Sequence, residues 1–326
     1  MPEYMLLCPL CSSDGVKKIK AYTSSGYDIY HCISCDGVFA DPMKSHGKDW
    51  YEKSEWEYYD FNASSSIRDL GWYEKVFLQD KPNNGKGLLL NIGCGRSDFL
   101  KRVEETGYKV LAIDFNKESI EFTKNRLGIK DAYAVDVFDF AKNYNGEKFD
   151  VVVFFEVLEH LDEPAGFIMA LKSILKPDGY VVMSVPNRER LSPQKEIWDY
   201  PPHHLTRWSA KSLGKFLESN GYIVEKLLVS PITADSLVSV LKANFETKYI
   251  EDKIKKADAR KADKKILISY VFKTLFKLRM AFYRILEIAG SVFIKTRGPG
   301  IYALARLKSD LDIPAIGDYI VKRPDR

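Results

Sequence analysis

The stretch LLLNIGCGRSDFL, residues 88–100, joins an apolar strand pattern to a glycine turn and the start of a helix. Glycines at a strand-to-helix turn leave the backbone bare, so that a ligand can touch it at Gly93 and Gly95. A dinucleotide fingerprint requires a third small residue at position 98, where this chain has Asp98. Because a carboxylate in the first helical turn repels a pyrophosphate, the turn is predicted to hold a nucleoside without phosphates.

Five apolar runs separated by segments of helical length begin at residue 88: LLLNI, KVLAID, AYAVDV, FDVVVFF and GYVVMSV. Such a βα repeat covers both faces of a parallel sheet with helices. We therefore predict an α/β fold with a doubly wound, mostly parallel, Rossmann-like sheet. Asp114 ends the second run, where a carboxylate can accept hydrogen bonds from two ribose hydroxyls.

Two C-x2-C pairs lie near the N-terminus, Cys8 with Cys11 and Cys32 with Cys35. Twenty residues separate the pairs, a spacing typical of a tetrahedral zinc site. Four thiolates leave no open coordination position, so we predict a structural zinc in a small ribbon at residues 1–40. The segment between the pairs indicates a hairpin, in which His31 is interpreted as a strand residue and not as a further ligand.

Residues 41–86 form a connector rich in aromatic side chains: Trp50, Tyr51, Trp56, Tyr58, Tyr59, Phe61, Trp72, Tyr73 and Phe77. These rings fit two interpretations, helices that pack onto the main domain or a lid over a ligand pocket. Pro82 and the following NNGKG mark the start of the main domain, which we predict at residues 87–231.

Five motifs resemble, in order and spacing, those of class I S-adenosylmethionine-dependent methyltransferases. They are NIGCG, AIDFN, VDV, FDVVVFFEVLEHL and LKPDGYVVMSVPN. The resemblance covers residues 88 to about 230. It implies a seven-stranded sheet, with GYIVEKLLVSP as the sixth strand and GPGIYALARLKS as the seventh, and S-adenosylmethionine as the cofactor.

The resemblance also implies a set of cofactor contacts. Gly93 and Gly95 would face the methionine part, Asp114 the ribose, and Asp136 with Val137 the adenine. Glu156 would lie near the methionine part and the reacting centre.

Two positions depart from the family pattern. Asn91 stands where the family usually has an acid, which is expected to weaken attraction to the ammonium group of the cofactor. Ser97 stands where a further glycine is common and is expected to cap the next helix. Cys94, between the glycines, is interpreted as a packing residue.

The loop after the fifth strand, PNRERLSPQKEIWDYPPHHLTRWSAKSL, contains adjacent histidines. Its position at the carboxyl end of the sheet places His203 and His204 near the expected methyl donor. An imidazole suits the removal of a proton from an acceptor near neutral pH. The H-L-x-x-W-S pattern resembles methyltransferases of small molecules and glycans, so we predict His204, ahead of His203, as the base and Glu156 as a helper. His160 is interpreted as structural.

Residues 232–297 are predicted to form a helical insertion before the last strand and tail at 298–326. Within it, residues 251–296 hold twelve Lys or Arg against five Asp or Glu, and 266–295 are strongly apolar. Two alternatives follow. The segment contacts anionic lipid at a membrane surface, or its apolar face packs against the main domain or against a second subunit. Charges recur too often for a spanning helix.

The predicted acceptor is a saccharide, which could be linked to a nucleotide or a lipid, or a related small metabolite. We expect methylation on oxygen. The zinc ribbon ahead of the methyltransferase motifs resembles the arrangement in enzymes that methylate sugars. The alternatives are C-methylation of a keto-sugar, O-methylation of a quinone precursor, an RNA methyltransferase and a non-catalytic relative that binds the cofactor. Nucleic acid is disfavoured by the net charge of only +4 and by the three lysines between the cysteine pairs. The N-terminus lacks signal-peptide segments, which predicts a cytoplasmic protein.

Overall fold

A computed structural model describes residues 6–22, 26–45, 69–95, 97–190, 199–232 and 297–309. The predicted insertion helices at 266–295 and most of the aromatic connector lie outside these residues. The chain divides into two compact units, one of residues 1–186, 197–228 and 301–326, the other of residues 187–196 and 229–300. Every predicted site residue belongs to the first unit. In the second, Asn187 Nδ2 donates to the Gly298 carbonyl at 2.8 Å.

The strands and helices follow in chain order. The strands are β1 (Val16–Tyr22), β2 (Tyr27–Cys32), β3 (Val38–Asp41), β4 (Gly87–Ile92), β5 (Tyr108–Asp114), β6 (Ala132–Ala134), β7 (Phe149–Phe155), β8 (Leu175–Pro186), β9 (Thr206–Arg207), β10 (Tyr222–Val229) and β11 (Gly300–Leu307). The helices are α1 (Trp72–Asp80), α2 (Phe99–Thr106), α3 (Lys117–Leu127), α4 (Val137–Asn143), α5 (Pro164–Ile174) and α6 (Ala210–Ser219), with 3-10 turns at Pro82–Gly85 and Leu158–His160.

Seven strands form the main sheet in the order β10-β11-β8-β7-β4-β5-β6. The pairs β4 with β5, β4 with β7, β5 with β6, and β7 with β8 are parallel. Numbered within this sheet, the order is 3-2-1-4-5-7-6, the doubly wound arrangement with the last strand inserted beside the fifth. The predicted fold class is confirmed, including the sixth and seventh strands.

The centre of the sheet is buried on both faces. In β7, Val151 to Phe154 have no exposed surface. Val152 and Phe154 pack into the core on one face, whereas Val151 and Val153 pack into the core on the other. Alternation of this kind, with apolar side chains on both faces, explains why the strands appear in the sequence as continuous apolar runs.

The described part of the aromatic connector packs against the sheet. Helix α1 places Trp72 at 6.4 Å from Tyr302 and Tyr73 at 4.8 Å from Phe155, measured between ring centroids. Phe77 is fully buried and lies 5.3 Å from Phe99. For these three rings the packing interpretation is the one that the contacts favour.

A second sheet unites the cysteine-rich segment with a strand from the distal part of the chain. The predicted hairpin is present, as β1 and β2 pair antiparallel, and β2 pairs antiparallel with β3. Strand β9 adds to β3, with Val38 opposite Arg207 and Phe39 opposite Thr206. This fourth strand directly follows the His203–His204 pair, a connection that the sequence did not predict. Among the described residues, no helix combines the length and apolarity needed to cross a bilayer.

Candidate active site and cysteine cluster

The turn after β4 has the backbone conformation that glycine favours. Gly93 has φ +72° and Gly95 has φ +54°, both in the left-handed region. A Cβ added at Gly93 would lie 2.8 Å from Val157 Cγ2, whereas one added at Gly95 would meet no described atom within 4 Å. Gly93 therefore allows the turn to pack against the segment after β7, and Gly95 faces open space at the carboxyl end of the sheet.

Asp114 is held beside this open space. Its Oδ1 accepts from the Asn116 amide at 2.9 Å, and its Oδ2 accepts from the Gly95 amide at 3.4 Å. Burial raises the pKa of Asp114, while these amide donors oppose that rise. The structure thus brings the predicted ribose-binding carboxylate to the predicted glycine turn.

Asn91 is buried in β4, where its Nδ2 donates to the Val153 carbonyl at 3.3 Å. A carboxylate at this position could not donate to that carbonyl, so the departure from the family pattern has a structural reason in this chain. The amide of Asn91 links β4 to β7 just below the glycine turn.

The residues predicted to contact adenine follow β6. The Val135 amide donates to the Asp114 carbonyl at 3.0 Å, which places Asp136 beside the end of β5. Asp136 is exposed, and its Oδ1 accepts from the Phe138 amide at 2.8 Å, so it caps α4. Val137 is buried. Asp136 therefore caps α4, and its contact with the adenine stays a prediction.

The Ser97 hydroxyl accepts from the amide of Phe99, the first residue of α2, at 3.2 Å, while Asp98, the residue directly before the helix, makes no capping bond with its side chain. The hydroxyl also donates to Glu74 Oε1 at 2.7 Å. Ser97 thus caps an amide at the start of α2, as expected, and its bond to the buried Glu74 fixes it against α1. Cys94 lies 3.4 Å from Thr123 Oγ1, and burial raises the pKa of its thiol to about 12.

Glu156 is strained at the end of β7. Its φ is +54°, a left-handed conformation that costs an L-residue about 1–2 kcal/mol. Two bonds to Ser184 hold it there: its amide donates to the Ser184 carbonyl at 3.0 Å, and its Oε1 accepts from Ser184 Oγ at 2.7 Å. Strain of this kind clusters at functional sites, where surrounding contacts over-determine it.

The 3-10 turn after Glu156 and the histidine loop meet in one cluster. The Leu205 amide donates to the Glu159 carbonyl at 2.8 Å, and the His160 Nδ1 bonds to the His203 carbonyl at 2.8 Å. The imidazole rings of His160 and His204 lie 4.8 Å apart, edge to face. The structure therefore brings His203 and His204 to the strand end that carries Glu156.

Burial controls protonation in this cluster. Burial, followed by the neighbouring His204, lowers the pKa of His160 to about 3, and the same two causes lower that of His203 to about 4. Both imidazoles are consequently neutral near neutral pH, because burial disfavours their protonated form.

Glu159 is a member of the cluster that our sequence analysis missed. It is 1% exposed, and neither carboxylate oxygen has a hydrogen-bond partner among the described residues. Burial, followed by the charge of Glu156, raises its pKa well above the ordinary value. The available signal was the E-x-x-E-H spacing of residues 156–160, which combines two carboxylates with an imidazole.

The four cysteines of the ribbon converge on one point. Their Sγ atoms all lie within 4.8 Å of one another, with 3.7 Å between Cys8 and Cys35 and 3.6 Å between Cys11 and Cys32. A tetrahedral zinc with Zn–S bonds of about 2.3 Å separates its sulfurs by roughly 3.8 Å. None of the four is in a disulfide. The sulfur spacing therefore fits a zinc ion, and His31 bonds instead to Asp36 at 2.9 Å.

The second cysteine pair also contacts the segment after His204. Asp36 Oδ2 accepts from Ser209 Oγ at 3.0 Å, and Lys215 Nζ donates to the Ser34 carbonyl at 2.8 Å. The Ala40 amide donates to the Leu205 carbonyl at 2.8 Å. The turn between Cys32 and Cys35 and the strand β3 after it thus support β9 and the start of α6.

Comparison with known families agrees with this geometry. Residues 72–227 match the family model described as a methyltransferase domain. Residues 72–227 are thus similar to methyltransferase domains. The sequence motifs imply S-adenosylmethionine as the cofactor of such a domain, and Gly95 borders open space beside Asp114.

Several curated relatives match this methyltransferase domain. A ubiquinone biosynthesis O-methyltransferase of Actinobacillus pleuropneumoniae serotype 5b is 33% identical over 150 residues, which cover 43% of this chain and 64% of the relative. The mitochondrial ubiquinone biosynthesis O-methyltransferase of Schizosaccharomyces pombe is 28% identical over 189 residues, covering 54% and 66%. The matched region thus spans less than two thirds of either relative. Among solved structures, a SAM-dependent methyltransferase from Archaeoglobus fulgidus aligns at 20% identity and a TM-score of 0.48, covering 76% of this chain and 99% of that one.

The open space at Gly95 predicts a specific effect of a single methyl group. In Gly95→Ala, the added Cβ would project into this open space, where we expect the methyl donor, and donor affinity is expected to fall by about tenfold or more. Gly128→Ala is the matched control, because Gly128 has φ +79° and no described atom within 4 Å, yet ends α3. Both variants carry the same backbone strain of about 1–2 kcal/mol. Calorimetric titration with S-adenosylmethionine separates them, and equal affinities would show that Gly95 does not border the cofactor.

Proposed function

We propose that this chain transfers a methyl group from S-adenosylmethionine to a hydroxyl oxygen of a small molecule. The observation that carries the proposal is the placement of two features on neighbouring strands. The glycine turn and Asp114 border open space at the ends of β4 and β5. Glu159 and His160 follow β7, which pairs with β4, and His204 from the loop before β9 lies against them.

Each group has a defined part in this chemistry. S-adenosylmethionine, when bound, supplies a methyl carbon on a positively charged sulfur. Gly95 leaves room for the nucleoside, and Asp114 accepts hydrogen bonds from its ribose. The acceptor oxygen forms the new C–O bond as the C–S bond breaks, and its proton passes to an imidazole of the His203–His204 pair.

The lowered pKa of the His203 imidazole favours a phenolic acceptor. An imidazole with a lowered pKa is a weak base, and a phenol, with a pKa near 10, gives up its proton more readily than a sugar hydroxyl. The relatives named above are O-methyltransferases of ubiquinone biosynthesis, which supports a quinone precursor. The saccharide acceptor expected from the sequence has no support from these relatives and stays a prediction.

We also propose that Cys8, Cys11, Cys32 and Cys35 hold a structural zinc. The Sγ spacing supports this, and the absence of an open position among four thiolates argues against a catalytic role.

Two measurements on the full chain test the proposed activity. Calorimetry with S-adenosylmethionine and S-adenosylhomocysteine should detect binding, and mass spectrometry should detect addition of one methyl group to a dihydroxybenzoate acceptor. The same assay with a saccharide acceptor tests the alternative that the enzyme methylates a sugar hydroxyl. Donor binding without transfer to any hydroxyl acceptor would favour the non-catalytic relative, and absence of donor binding would contradict the proposal as a whole.

A further inference from the structure

The buried carboxylate of Glu74 lies between α1 and the segment that follows the glycine turn. Glu74 is 3% exposed, and so is Ser97, which stands two residues after Gly95. The Ser97 hydroxyl donates to Glu74 Oε1 at 2.7 Å. Hydrogen bonds to carboxylates are roughly twice as strong as those between neutral groups. The pair therefore ties α1 firmly to the chain just beyond the turn.

Backbone amides hold both members of this pair. Glu74 Oε2 accepts from the amide of Gly71, the residue directly before α1, at 2.5 Å. Ser97 Oγ accepts from the Phe99 amide at the start of α2. One chain of hydrogen bonds thus runs from the beginning of α1, through Glu74 and Ser97, to the beginning of α2. Because each polar group in this chain has a bonded partner on both sides, its orientation is fixed.

Aromatic rings extend the contact of α1 to the end of β7. The ring centroids of Tyr73 and Phe155 lie 4.8 Å apart, and those of Phe99 and Phe155 lie 5.3 Å apart. Phe155 directly precedes the strained Glu156. The first turn of α1 is therefore bonded to the segment after β4 and packed against the end of β7, the two neighbouring strands whose ends are predicted to face the methyl donor.

We propose that Glu74 is a positioning residue for the methyl donor, which holds the glycine turn in place through Ser97. Gly93 and Gly95 give the turn its left-handed backbone, but glycine also leaves it the greatest conformational freedom. A bonded hydroxyl two residues after Gly95 removes part of that freedom before the ligand binds, which lowers the cost of binding. The inference rests on the proposed function, because it takes the ligand of this turn to be S-adenosylmethionine.

The link is a property of this chain and not of the motif. Ser97 stands where the resemblance expects a further glycine, and a glycine could make no bond to Glu74. The added hydroxyl and the buried carboxylate therefore form a matched pair, and the effect of each on donor binding should depend on the presence of the other.

A double-mutant cycle separates this positioning role from two independent structural defects. Glu74→Ala and Ser97→Ala break the same bond, so each should weaken S-adenosylmethionine binding by about tenfold, and the double variant should also lose only about tenfold. Independent defects would instead multiply to about 100-fold in the double variant. Titration calorimetry on the full chain measures the four affinities.

Two matched variants complete the design. Glu74→Gln keeps an amide group that can still bond to the Ser97 hydroxyl, so donor affinity should stay within about threefold of the wild type. Asp80→Ala removes a carboxylate at the other end of α1, where Asp80 accepts from Lys226 of β10 and, at 3.1 Å, from the Tyr302 hydroxyl of β11. It should lower stability but leave donor affinity within about threefold, because it does not touch the glycine turn.

Wild-type donor affinity in Ser97→Ala, a 100-fold loss in the double variant, or a loss in Asp80→Ala as large as that in Glu74→Ala would each overturn the proposal. Ser97→Ala keeps the test decisive if Glu74→Ala fails to fold. Hydrogen exchange without the donor gives a second readout, because the Gly95 amide, which donates to Asp114, should exchange faster in Ser97→Ala than in the wild type. If the wild type binds no S-adenosylmethionine, the proposed function fails, and unchanged exchange at Gly95 would still refute the positioning role separately.

Discussion

Cys32→Ser is expected to release the zinc and to loosen the loop that carries His203 and His204, while methyl-donor binding persists. A structural zinc contributes on the order of 10 kcal/mol to the folding of a small module, so the ribbon should unfold without it. Because β3 pairs with β9 and the Ala40 amide bonds to the Leu205 carbonyl, the effect should extend into the methyltransferase domain. Methyl transfer should then fall far more than donor affinity.

Hydrogen exchange gives a readout that does not depend on activity. The Ala40 amide should exchange much faster in Cys32→Ser than in the wild type, and a chromogenic chelator should recover less than one zinc per chain. Cys94→Ser provides the control, because Cys94 is the fifth cysteine and lies outside the cluster. If Cys32→Ser kept both the zinc and the protection of Ala40, the ribbon would not support the histidine loop in this way.

Asp114→Ala is expected to weaken methyl-donor binding by about 100-fold. Each hydrogen bond from a ribose hydroxyl to a charged carboxylate contributes about 1.5–3 kcal/mol, and the variant loses two. A loss of about 3 kcal/mol corresponds to roughly 100-fold in Kd. Stability should fall by about 1–3 kcal/mol, because the Asn116 and Gly95 amides each lose a hydrogen bond.

The control for this variant is Asp131→Ala. Asp131 is an exposed acid before β6, and its carboxylate lies 3.4 Å from the Tyr133 hydroxyl. Titration calorimetry with S-adenosylhomocysteine should show near wild-type affinity for Asp131→Ala and weak binding for Asp114→Ala. Equal affinities would remove Asp114 from the cofactor site.

The fold could be predicted because local patterns and global topology agree. Continuous apolar runs such as residues 149–155 are typical of strands buried on both faces, and the segments between them are long enough to cross over as helices. The predicted zinc site likewise depends on cysteines that lie close together in the sequence. Asn91 shows the limit of this reasoning: the expected weaker attraction to the cofactor stays a prediction, and the bond from its side chain to a backbone carbonyl of the adjacent strand was visible only in the structure.

The amino-acid sequence by itself determined the doubly wound sheet, the glycine turn with Asp114 and the four thiolates near the N-terminus, because each depends on periodicity or on residues close together in the chain. Only the tertiary structure decided that β9 joins the ribbon sheet and that Glu159 is buried beside His160 and His204, with no hydrogen-bond partner for its carboxylate among the described residues. Those features depend on contacts between residues about 45 to 170 positions apart, as in the bonds of His160 with His203 and Asp36 with Ser209. Such distant contacts form only when the whole chain packs, and no local pattern encodes them.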